Sequence, residues 1–138
     1  MSIPETTPFP WWLRTTVILG SLLMFTGAIL ALANPQMLVY PGATINDASR
    51  TFAGYFFGRN LVLAIFLLAA LFQRARGTLN MLMLLTGIIQ VIDVVLDCVE
   101  RRWPIVPIVA IFAVMLFVSS ARLSGLLFWK AGAWKERL

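Results

Sequence analysis

Thr86, Gln90, Asp93, Asp97 and Glu100 lie in the segment TGIIQVIDVVLDCVERR at separations of four, three, four and three residues. That spacing sets all five side chains on one face of an α-helix. The residues between them include Ile88, Ile89, Val91, Ile92, Val94, Val95 and Leu96, so the rest of the helix is apolar. Carboxylates in line with an amide and a hydroxyl can move a proton and orient a polar group of a substrate. A counter-charge lies in FFGRNLVLAIFLLAAL, where Arg59 and Asn60 interrupt an apolar run and Tyr55 precedes Arg59 by one turn. Asp93, Asp97 and Arg59 are therefore the candidate catalytic residues, and Asn60, Gln90, Tyr55 and Thr86 the candidate ligand-binding residues.

A plainer reading stands beside this one. Arg59 facing Asp93 can simply join two helices, because interhelical polar contacts in membranes are worth about 0.6 to 2 kcal/mol. Asp97 tilts the balance, since two carboxylates on one face with one arginine leave an acid in excess. The counter-reading for Asp97 is a solvated helical pair with Arg101, four residues on.

The elements that must position these groups are membrane spans. The chain has 138 residues, 60% hydrophobic and 12% charged, with a mean hydropathy of +0.88. A soluble domain is about 45–50% apolar and about 25% charged, so a soluble enzyme, a disordered tail and a collagen-like repeat are all excluded. Crossing about 30 Å of hydrocarbon takes about 20 mainly apolar residues of helix. Four runs satisfy this, at about 11–33, 51–73, 77–99 and 103–121, the last free to continue as helix to about 129. The first lacks a basic region before it and exceeds the usual apolar core of a signal peptide, so it reads as a mature span. The expected fold is all-α: a polytopic four-helix transmembrane bundle, with residues 1–138 forming one domain.

Short links, interrupted by Arg74, Arg76 and Gly77 and then by Glu100, Arg101, Arg102 and Pro104, make spans 2, 3 and 4 antiparallel neighbours. The link at 34–50 is longer, mixes turn residues with Met37, Leu38, Val39 and Tyr40, and can lie over the bundle as a lid. Arg14, Arg74, Arg76, Arg122, Lys130, Lys135 and Arg137 fall on one side, and Arg50, Arg101 and Arg102 on the other. The positive-inside rule then places both termini in the cytoplasm, in a bacterial inner membrane or its equivalent. The net charge of +5 is thus read as topology, and no nucleic-acid partner is expected. Trp11, Trp12, Trp103, Trp129 and Trp134 all lie near span ends, at headgroup level.

An ionised aspartate facing lipid costs about 2.5–3.5 kcal/mol even on insertion scales, so the stripe on span 3 turns toward the bundle interior. Arg59 lies about 12 Å below the start of span 2 and Asp93 about 9 Å below the end of span 3, at 1.5 Å per residue. The two charges meet at similar depth, which predicts a polar cluster of Arg59, Asp93 and Asp97 in the outer half of the bilayer, with Thr26 of span 1 nearby.

Phe52, Tyr55, Phe56 and Phe66 lie on or beside the Arg59 face, and Trp103 is near the same end. Gly54 with Gly58, and Gly20 with Gly27, allow close helix approach. The chain has no histidine and one cysteine, Cys98. No metal site, nucleotide fingerprint or activated serine is legible, and no cofactor is expected.

With FFGRNLVLAIFLLAAL in span 2 and LLTGIIQVIDVVLD in span 3, the chain resembles a group of small four-helix integral membrane proteins known as a domain of unknown function. The resemblance covers about residues 50–122 and rests on Gly58, Arg59, Asn60 and Asp93. It implies a four-helix architecture and carries no agreed activity. Small multidrug transporters share the length and span number, but their first-helix glutamate has no counterpart here.

Three functional classes follow. The first is binding or proton-transfer conversion of a lipophilic small molecule (isomerisation, cyclisation or hydration) entering sideways from the bilayer. A second is a noncatalytic subunit or assembly partner of a larger membrane complex, and a third a proton-coupled carrier that would have to dimerise. The expected partners are membrane lipids, a lipophilic small molecule, and either a second copy or a complex partner. A cavity reaching Asp93 or Asp97 separates the first class from a purely structural pair.

Overall fold

The computed structural model describes residues 8–134 and is built from four long helices: α1 (Trp11–Ala33), α2 (Asp47–Phe72), α3 (Arg76–Val99) and α4 (Val106–Ser124). Each is long and apolar enough to cross a bilayer, the structure that satisfies every backbone polar group within lipid. The protein is an integral membrane four-helix bundle. Lys135 and Arg137, counted above among the basic residues, lie outside the described residues.

Local chemistry moves several helix ends from their expected places. Helix α2 begins at Asp47 rather than 51, because Asn46 and Ser49 form a reciprocal capping box and Asp47 sits in the first turn. Helix α4 starts at Val106 rather than Trp103, with Pro107 in its first turn; proline is suited there, and Pro104 disfavours helix for the residue before it. It ends at Ser124 because Gly125 adopts a left-handed conformation, φ 70°, so there is no helical continuation to 129.

The links after α2 and α3 share one device. Arg74 (φ 56°) and Arg101 (φ 58°) are left-handed, each following the last helical turn. Ala75 N–H donates to Ala70 C=O and Arg74 N–H to Leu71 C=O; Arg102 N–H donates to Asp97 C=O and Arg101 N–H to Cys98 C=O. Both are Schellman closures with arginine in the place glycine usually fills.

Helices α1 and α2 pack extensively, as do α3 and α4, whereas α2 meets α3 and α1 meets α4 over much less surface. The bundle is thus two hairpins. They close at the end where α1 begins and α4 finishes, where Leu13, Val17, Leu67, Leu71, Leu79, Met83 and Leu116 form the core. The α1–α4 crossing is close, since a Cβ at Gly20 would run into the Phe112 ring. Below it, the C-terminal segment is tied back: Asn80 Nδ2 donates to Ala133 C=O at 2.7 Å and Ser120 Oγ donates to Asn80 Oδ1 at 2.6 Å.

Candidate functional site

Toward the other end, which carries the longer links, the hairpins part. They enclose a cleft of about 660 Å³ lined by the last turns of α1 and α3, the first turns of α2 and α4, and Pro35, Leu38, Val39 and Ile45 of the α1–α2 link. The link therefore lies over the cleft. One wall is polar, formed by Arg59 and Asn60 of α2 with Gln90, Asp93, Asp97 and Glu100 of α3, and Arg102 closes its outer end. The opposing surface is largely aliphatic, with Leu23, Leu30, Ile105 and Val109 among its residues.

The stripe on α3 does face inward, and Arg59 meets Asp93. Arg59 Nη1 and Nη2 donate to Asp93 Oδ1 and Oδ2 at 3.2 and 2.8 Å, a two-bond arrangement suited to the planar guanidinium. The guanidinium also lies 5.2 Å from the Phe56 ring centroid, one turn earlier on the same helix.

Asp97 is not the excess acid expected, nor is its partner Arg101. Arg102 Nη1 lies 2.7 Å from Asp97 Oδ1 and 3.7 Å from Glu100 Oε2. The left-handed Arg101 reverses the chain after α3, and this reversal folds Arg102 back over the last turn. Each intramembrane aspartate thus has its own arginine. Sequence reasoning missed Arg102 because the reversal depends on a left-handed residue where the chain has no glycine.

Asn60 and Gln90 line the cleft and are 4% and 7% exposed. Neither side chain finds a hydrogen-bond partner among the described residues. Thr86, one turn below Gln90, is fully buried outside the cleft lining, and its hydroxyl is also unpartnered. Here α3 and α4 close together, with Gly87 against the Phe117 ring.

Tyr55 does not join the site. It is 72% exposed, because the cleft-facing line of α2 runs through Ser49, Phe52, Ala53, Phe56 and Asn60. Arg59 stands at the edge of that line and reaches inward on its long stem, while Tyr55, one turn earlier, falls beyond it. Phe66 and Trp103 also face outward, leaving Phe52 and Phe56 as the cleft aromatics. A Cβ at Gly54 or Gly58 would meet nothing within 4 Å among the described residues, whereas Gly27 receives the Phe56 ring.

A second, smaller pocket of about 160 Å³ lies along the α1–α4 crossing. Leu23 and Ile108 line both it and the cleft, so these two side chains stand between them.

No family model matches the sequence, and no curated protein or solved structure is similar enough to count as a relative.

Proposed function

We propose that this protein binds a lipophilic small molecule in the cleft between its two hairpins. The observation that carries this reading is the open volume beside both Asp93 and Asp97, where a purely structural charge pair would be packed solid. Ligand sites commonly take this form, an apolar concavity of about 300–1,000 Å³ with a few convergent polar groups. A sideways route from the bilayer would run through the smaller pocket between α1 and α4 and requires Leu23 and Ile108 to turn aside.

Within this reading, Arg59 and Arg102 hold the two carboxylates in place, and Asn60 and Gln90 orient the bound molecule. Any proton moved in an isomerisation, cyclisation or hydration would pass through Asp93 or Asp97, the carboxylates within the cleft, Glu100 being exposed at its mouth. The Gly58-Arg59-Asn60 and Asp93 positions are the features we propose to be shared with the small four-helix proteins the chain resembles. The excess of basic residues at the closed end supports cytoplasmic termini.

A second reading, as an assembly subunit of a larger membrane complex, draws on one observation. Gly54 and Gly58 offer an open seam on α2 where another helix could pack.

The test is thermal stability in detergent with and without lipid extract from the native source, for the parent and for the double variant Ala53→Trp with Gly27→Leu, which crowds the cleft from α2 and α1. The extract is expected to raise the Tm of the parent alone. An equal response from both, or none from either, refutes binding in this cleft.

A further inference from the structure

We infer that the molecule the cleft holds is a neutral lipophile carrying a hydroxyl group, and that Asn60 and Gln90 receive that hydroxyl at the cleft's inner end. This rests on the binding reading above and names its ligand class.

The charged groups on the cleft wall are already paired. Both terminal nitrogens of Arg59 are taken by both oxygens of Asp93, and Arg102 is taken by Asp97. The charged groups therefore compensate one another. The remaining carboxylate, Glu100, is exposed at the mouth, so a carboxylate or phosphate headgroup would meet more negative than positive charge along the wall.

Asn60 and Gln90 are the uncommitted neutral groups; of the charge-compensated arginines, only the buried Nε atoms of Arg59 and Arg102 lack a partner among the described residues. Counting from the closed ends of α2 and α3 at 1.5 Å per residue, Asn60 stands about 18 Å up and Gln90 about 21 Å. They occupy neighbouring levels on adjacent helices near mid-membrane. A buried polar group left without a partner is destabilising, and leucine or methionine would fill the same space without that cost. The buried, unmet Asn60 oxygen and the unpartnered Gln90 amide in one cleft are accounted for by a polar group that comes from outside the chain.

The donor and acceptor balance narrows its chemistry. Asn60 Oδ1 is an unmet acceptor, and the Gln90 amide adds an N–H donor. A hydroxyl donates to the first and accepts from the second, whereas an ether or hydrocarbon leaves Asn60 Oδ1 unmet. An ionised group would also have to be desolvated near mid-membrane with no free opposite charge beside it.

The experiment uses the full chain in detergent and four probes with one hydrocarbon skeleton: farnesol, its methyl ether, farnesylamine and farnesoic acid. Binding is read as concentration-dependent rise in Tm. Farnesol is expected to bind about tenfold or more tightly than each of the others, a difference of about 1.4 kcal/mol. Asn60→Leu is expected to erase that preference while leaving ligand-free stability equal or higher, because it removes an unmatched buried amide. Gln90→Met supplies a second variant with the same expected loss of preference.

Equal or tighter binding of the amine, the acid or the ether overturns the inference, as does a preference retained in both variants. If native lipid extract stabilises the parent but farnesol does not, the hydroxyl assignment fails and the binding reading stands. If neither extract nor any probe shifts the Tm, both fail together.

Discussion

Breaking the Arg59–Asp93 pair tests whether it couples the two hairpins, because this pair spans the thinly packed α2–α3 boundary. Asp93→Asn removes the charge that both terminal nitrogens of Arg59 hold. One-sided removal from a fully buried pair costs about 3–5 kcal/mol, and an exposed pair is worth about 0.2–1 kcal/mol. The Arg59 and Asp93 side chains retain 35% and 18% exposure, which places each single loss, Asp93→Asn or Arg59→Gln, at about 2 kcal/mol. The double variant carries no unpaired charge, and Gln and Asn can still share a hydrogen bond. With a coupling of about 1–2 kcal/mol between contacting groups, the double should lose about 2–3 kcal/mol rather than the about 4 kcal/mol of additive singles. Equilibrium unfolding in mixed micelles, followed by tryptophan fluorescence, gives all four corners of the cycle. Additive losses, or single losses below about 0.5 kcal/mol, would refute the claim that the pair couples the hairpins.

Arg101→Gly should stabilise the protein by about 0.5–1 kcal/mol in the same assay, since a left-handed non-glycine residue costs about 1–2 kcal/mol and glycine returns part of this as chain entropy. Gly20→Ala should destabilise by about 1–3 kcal/mol through overpacking against Phe112; Phe112→Leu in the same chain should relieve most of that loss, and no relief would place the strain elsewhere. Asn80→Leu leaves Ser120 Oγ and Ala133 C=O without their mutual partner. A loss of about 1–3 kcal/mol, with faster hydrogen exchange at 131–134, is expected; unchanged exchange would show that the segment is held by other contacts.

The α3 stripe was legible because helical period and the cost of facing lipid together leave a charged line only one way to turn. The pairing of Arg59 with Asp93 followed from counting rise along two antiparallel helices. Asp97 was harder, because its partner depends on one left-handed arginine that composition does not announce. The start of α2 was marked in the sequence by Asn46 and Ser49, three residues apart, and Gly125 marked the stop of α4; both are short-range signals that an apolar count passes over. Tyr55 was misplaced because spacing relative to Arg59 does not reveal which side of Arg59 the cleft lies on.

What the sequence determined by itself is the number of spans, their antiparallel order and the inward face of α3, because lipid demands internal backbone hydrogen bonds and rejects exposed charge whatever the partner helices do. What only the tertiary structure decided is the cleft, its residues and the division of two arginines between two aspartates. Those depend on how closely each pair of helices approaches, and that is set by side-chain fit between distant segments, as at Gly20 with Phe112 and Gly87 with Phe117.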